Sequence, residues 1–176
     1  MTEKADRILF LCTGNAARSV MAGAALAARL PQIEVETAGT LTVDGQPMSW
    51  RTRTALESVG LVAPSHRSRQ ASTRDLDSAT LIIGLAPEHV HWVRRNHARD
   101  AARTGTLKRL VRDLPVDARP LSERVADLGL ADVELEDWEE VVDPGGGEVE
   151  VFVECAHEVD GLIERLATLL ATVSSD

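Results

Sequence analysis

Two periodicities divide the chain: short apolar runs of strand length, and longer segments whose apolar residues recur at helical spacing. Arg7–Cys12 (RILFLC) is an apolar run bounded by charge before it and Gly14 after it, which predicts a buried strand. Ser19–Leu30 is rich in Ala, Leu and Met and stops at Pro31, which predicts a helix. Ile33–Thr37 alternates apolar with polar positions and predicts a second strand, broken by Ala38 and Gly39. Ser49–Gly60 predicts a helix with Ser49 as N-cap and Gly60 just past its end. Thr80–Leu85 is another buried-strand run, and Pro87–Arg103 a helix with proline in its first turn. Thr106–Leu114 predicts a short helix and Glu148–Thr172 a long terminal one. Between them, Pro115–Glu140 is expected to be a surface excursion with one helical piece. Strands alternating with helices predict an α/β fold, a parallel sheet covered by helices on both faces. No repeat or low-complexity tract divides the chain, and the short Asp143–Gly147 loop is the nearest thing to a linker. One domain over residues 1–176 is therefore expected.

Composition narrows the class. The chain has 176 residues, 44% of them apolar, enough for one core and too many for general disorder. No apolar run reaches the ~18 residues of a membrane span, so no membrane partner is expected. The charged start and the five-residue run Ile8–Cys12 do not fit a secretion signal. With only two cysteines, Cys12 and Cys155, a reducing cytoplasm is expected rather than a disulfide framework. The net charge of −9 conceals a split. Residues 1–112 hold 16 Lys and Arg against 10 Asp and Glu, whereas residues 113–176 hold 3 against 18. With no Tyr, two Phe and no dense basic run, the basic half does not suggest a nucleic-acid partner.

The informative segment is Cys12-Thr-Gly-Asn-Ala-Ala-Arg18-Ser19, between a buried strand and a helix start. In open parallel sheets, ligands bind at the carboxyl ends of strands, where loop amides and helix N-termini converge. A thiol there meets three influences that favour its anion: the helix dipole, unpaired amides and Arg18. Gly14 is expected to allow a sharp loop path through a positive φ. Arg18 offers a planar fork matched to two oxygens of a tetrahedral anion. Cys-x5-Arg alone is weak in an arginine-rich chain; Gly14, Asn15, Ser19 and the strand–loop–helix setting strengthen it.

This segment, preceded by ILFL and followed by Met21-Ala22, resembles the phosphate-binding loop of low-molecular-weight protein tyrosine phosphatases. The likeness extends along the chain through Thr37-Ala-Gly-Thr40, Gly45-Gln-Pro47 with Arg51, Ala55-Leu56 and Gly60-Leu61. It continues through His66 to Gln70, Thr106 to Leu110, and Asp143-Pro144 with Glu150-Val-Phe152 and Cys155. The resemblance implies a four-stranded parallel sheet and metal-independent phosphomonoester hydrolysis through a phosphocysteine, with protein phosphotyrosine as the leading substrate and no cofactor. It implies Cys12 as nucleophile, and Arg18 with the amides of Thr13, Gly14, Asn15, Ala16 and Ala17 as the phosphate cradle. It further implies Ser19 as a thiolate hydrogen-bond donor, Asn15 and His66 as supports of the loop, and Asp143 as general acid. A phosphorylated protein or a small phosphomonoester is the expected partner, and a monomer the default for this size.

Three departures stand out. Ala17 replaces a second cysteine common beside the Arg, and Val20 a proline common after the Ser. Gly145 and Gly146 replace an aromatic pair that often walls the phosphotyrosine cleft, and Leu41–Asp44 supplies no ring instead. The competing readings are a single-cysteine arsenate reductase using a small-thiol cofactor and a non-catalytic phosphate-binding module. Val20 does not favour the first, and the joint presence of Cys12, Arg18 and Asp143 disfavours the second. His89, His91 and His97 invite a zinc reading, but His91 leaves the face that His89 and His97 share, and no metal is expected. Trp50, Trp92 and Trp138 are expected to be core or half-buried packing residues.

Overall fold

A computed structural model describes residues 5–171. Four parallel strands form one sheet in the order β2-β1-β3-β4: β1 (Arg7–Cys12), β2 (Glu34–Gly39), β3 (Leu81–Gly84) and β4 (Thr104–Thr106). The helices are α1 (Arg18–Arg29), α2 (Trp50–Ser58), α3 (Thr73–Ser78), α4 (Pro87–Asn96), α5 (Leu107–Asp113), α6 (Leu121–Ala126) and α7 (Val149–Leu170). Short 3-10 turns lie at Ala98–Arg103 and Asp137–Glu139.

The apolar runs at β1 and β3 read as they do because both faces are covered. Ile8, Phe10, Cys12, Leu81 and Ile83 join the larger core with α1, α2, α5 and α7. Leu9, Leu11 and Ile82 point the other way, against Leu76 of α3 and Val93 of α4. β1 is central, with β2 on one side and β3 on the other. The strand order therefore reverses beside the C-terminal end of β1, where doubly wound sheets open a crevice.

The structure moves several expected boundaries. β2 does not break at Ala38: it runs to Gly39, which pairs with Cys12. Glycine is required there, because a Cβ would meet the Thr13 carbonyl oxygen at 2.5 Å. The helix from Pro87 stops at Asn96, where the chain turns through His97 into the 3-10 segment. Residues 104–106 form β4, so Thr106 is the N-cap of α5 rather than part of a helix. α3 has no counterpart in the expectation, although Ser72 and Asp75 form a capping box. Pro115–Glu140 is not a mere surface excursion: Leu121, Arg124, Val125, Leu130 and Glu139 are buried. Gly60, by contrast, has φ +74 and closes α2 as anticipated. The N–H groups of Gly60 and Leu61 donate to the carbonyls of Glu57 and Leu56. Trp50 and Trp138 are exposed, each under an arginine, Arg51 at 4.8 Å and Arg112 at 4.4 Å from the ring centroids. The end of the long helix expected at Thr172 lies outside the described residues. Among the described residues no helix is long and apolar enough to cross a membrane.

Candidate active site

β1 ends at Cys12, α1 begins at Arg18, and five residues lie between them. The carbonyls of this loop are occupied from outside. Thr40 N–H donates to Cys12 O, Leu41 N–H and Thr42 Oγ1 to Thr13 O, and Thr52 Oγ1 to Ala16 O, all within 3.0 Å. No backbone N–H of residues 13–17 has an acceptor among the described residues. A Cβ on Gly14 would meet nothing within 4 Å. Consecutive free donors at a helix start are suited to hold an anion.

The positive φ expected at Gly14 belongs to Asn15 instead, at φ +51. Asparagine tolerates this region because its short amide bonds locally, and here the amide is saturated. Its Nδ2 donates to Ser19 Oγ (2.9 Å) and Thr37 Oγ1 (3.0 Å), and its Oδ1 accepts from Arg69 N–H (3.0 Å). His66 Nε2 donates to the Asn15 carbonyl at 2.8 Å. Ser19 Oγ lies 2.9 Å from Cys12 Sγ. Because Ser19 already accepts from Asn15, its own proton is free to point at the sulfur.

Arg18 is 2% exposed and is steered from several elements. One terminal nitrogen donates to Val141 O at 3.0 Å. The other lies 3.5 Å from Thr13 Oγ1, 3.6 Å from Asp143 Oδ2 and 3.7 Å from Glu88 Oε1. Asp143 reaches the site because Val141 N–H is bonded to Leu85 O at the end of β3 (2.8 Å). Its Oδ1 also accepts from Gly145 N–H at 2.9 Å. The structure thus brings Cys12, Thr13, Asn15, Arg18, Ser19 and Asp143 together, with His66 behind the loop.

Two neighbours escaped the sequence reading. His89 is fully buried, accepts Ala86 N–H at Nδ1 (3.0 Å), and turns Nε2 to Thr13 Oγ1 (3.1 Å). Burial, with Arg18 nearby, pushes its imidazole down to about 3. Its proton therefore sits on Nε2 of a neutral ring. Glu88 stands beside it in the first turn of α4. Their signal was a polar pair opening a helix after a buried strand; His89 entered only the zinc reading with His91 and His97, which the spacing already disfavoured. Among the described residues no cluster of three or more His, Cys, Asp or Glu could hold a metal ion. Cys155 on α7 is buried, and its thiol is pushed up to about 12, chiefly by burial. It therefore stays protonated and is no second nucleophile.

A cysteine in an amide cradle, faced by an arginine at the switch point of a doubly wound sheet, defines a cysteine-dependent phosphatase. The sequence model described as low molecular weight phosphotyrosine protein phosphatase matches residues 7–127. The chain belongs to that family. It is 32% identical over 167 residues to a protein-arginine-phosphatase of Geobacillus stearothermophilus, covering 94% of this chain and 97% of the relative. It is 27% identical over 169 residues to the low molecular weight protein-tyrosine-phosphatase PtpB of Staphylococcus aureus, covering 93% and 99%. The solved YwlE arginine phosphatase of Geobacillus stearothermophilus superposes with a TM-score of 0.76 at 31% identity, covering 95% and 94%.

Proposed function

We propose that the protein removes phosphate from phosphorylated protein side chains through a phosphocysteine, without a metal, and that it prefers phosphoarginine. The observation that carries the reaction is Cys12 Sγ beside the Ser19 hydroxyl, in a loop of free amides faced by Arg18. Cys12 attacks phosphorus in line while the bond to the leaving atom breaks. Arg18 and the amides of residues 13–18 bind the three equatorial oxygens. Asp143 gives a proton to the departing atom, then takes one from the water that attacks the phosphocysteine. The S–P bond breaks, its electron pair returns to sulfur under the Ser19 hydroxyl, and inorganic phosphate leaves. Asn15 and His66 are positioning residues that hold the loop open.

Two features support phosphoarginine over phosphotyrosine, the leading expectation from the family resemblance. Thr13, Glu88 and Asp143 reach Arg18, Gly145 and Gly146 follow the acid, and neither the loop 13–19 nor residues 41–44 carry an aromatic side chain to stack on a phenyl group. A relative covering 94% of the chain is an arginine phosphatase by name.

The test is phosphate release from a phosphoarginine peptide, a phosphotyrosine peptide and para-nitrophenyl phosphate, with EDTA present. Cys12→Ser is expected to lose at least ~10³-fold on every substrate. Asp143→Asn is expected to lose more on poor leaving groups than on good ones. Activity surviving Cys12→Ser would overturn the mechanism. Faster turnover of the phosphotyrosine peptide would overturn the substrate preference. A wild type inert to phosphate compounds that reduces arsenate with a small thiol would replace the reading altogether.

A further inference from the structure

Glu88 stands in the cleft without a place in the reaction just described. Its Oε1 lies 3.3 Å from Thr13 Oγ1, 3.3 Å from His89 Nε2 and 3.7 Å from Arg18. Asp143 approaches the same Arg18 nitrogen at 3.6 Å, so the two carboxylates lie within about 7 Å of each other. A directed chain of hydrogen bonds aims Glu88. Ala86 N–H donates to His89 Nδ1, His89 Nε2–H donates to Thr13 Oγ1, and the Thr13 hydroxyl is left to donate to Glu88. The first turn of a helix also favours a carboxylate. Yet the side chain is 64% exposed and faces the mouth rather than the core.

The charges make this costly unless the substrate answers it. Arg18 is the one cation within 4 Å of both carboxylates among the described residues, and a bound phosphate claims its donors. Glu88 then faces a dianion with its partner engaged elsewhere. A neutral leaving group leaves that repulsion standing. A leaving group that carries positive charge within a few ångströms of phosphorus turns it into an ion pair. Resting on the phosphatase reading above, we propose that Glu88 receives the positive charge of the leaving group and so selects cationic over neutral substrates. The division of labour follows: Asp143 handles the proton on the bridging atom, and Glu88 faces the guanidinium's other nitrogens.

The experiment compares 2-(aminomethyl)phenyl phosphate with 2-ethylphenyl phosphate, alongside the phosphoarginine peptide, on wild type, Glu88→Gln and Glu88→Lys. The readout is the ratio of kcat/KM for the cationic over the neutral aryl phosphate, in which intrinsic reactivity cancels between variants. Glu88→Gln is expected to lower the ratio about tenfold, by slowing the cationic ester and speeding the neutral one. Glu88→Lys is expected to lower it further, and 0.5 M salt to shrink the wild-type ratio. An unchanged ratio in Glu88→Gln, or equal losses on both esters, overturns the proposal. Should the ratio fall as expected while wild type spares phosphoarginine, Glu88 keeps its role and the phosphoarginine reading is the one that fails.

Discussion

At the scale of single residues, the site depends on side chains whose partners are far away in sequence. Asn15 takes the left-handed conformation only because Thr37, His66 and Arg69 meet it from other elements. Its role as a loop support is what the family resemblance implies; the positive φ expected at Gly14, the usual tenant of that region, falls on Asn15 instead. His89 makes a sharper point. A neutral imidazole in the fold binds fewer protons than the unfolded chain below pH 6.5. Stability is therefore full above about pH 6.5 and lost progressively as pH falls towards the folded value of about 3. Between pH 7 and pH 5 the loss from this group is about 2 kcal/mol. Urea unfolding at the two pH values should show that difference in wild type, and His89→Asn should lack it. An equal pH dependence in the variant would place the titration elsewhere.

At the scale of elements, the segment that delivers Asp143 is held by a buried ion pair. Glu139 is fully buried and accepts from Arg109 Nε (2.8 Å), an Arg109 terminal nitrogen (2.8 Å), Thr106 Oγ1 (2.7 Å) and Glu136 N–H (2.7 Å). Burial raises its carboxyl, but Arg109, the Glu136 amide and Thr106 together hold it below the usual carboxylate range. Two residues on, Val141 bonds both Leu85 and Arg18. The pair thus fixes the acid segment against α5 and the end of β3. Glu139→Ala should cost about 3–5 kcal/mol in chemical unfolding, because it strands a buried guanidinium. Arg109→Met with Glu139→Leu should recover most of that loss. If the double variant is no more stable than Glu139→Ala, the ion pair contributes more than its charges. Pro115–Glu140 looked like a surface excursion because its acidic residues mask what Leu121, Val125 and Glu139 bury.

At the scale of the molecule, the charge split places the Cys12–Arg18 loop in the basic part of the chain and Asp143 in the acidic part. The fold joins the two at one guanidinium, with Glu88 adding a carboxylate from the basic half. An acidic phosphopeptide should therefore be disfavoured against a neutral one at low salt. Raising salt from 0.01 to 0.1 M shortens the screening length from ~30 to ~10 Å, and the relative turnover of the acidic peptide should rise. A ratio indifferent to salt would mean that distant charges do not guide the substrate.

Sequence by itself determined the α/β class and the strand–loop–helix around Cys12 and Arg18, because hydrophobic period and loop chemistry are local properties; the reaction type came from the family resemblance that this loop carries. Cys12, Arg18 and Ser19 lie within eight consecutive residues, so one turn of chain assembles them. Only the tertiary structure decided the rest. β4 has three residues, too few for a pattern of its own, and exists because β3 offers it an edge. Asp143 is 125 residues from Arg18, and Glu88 is 70 away; both reach it through the parallel sheet, which gathers the ends of β1 and β3 at one side. Nothing local encodes that convergence. It arises because strands buried on both faces must pair in register, and the pairing fixes which loops share the crevice.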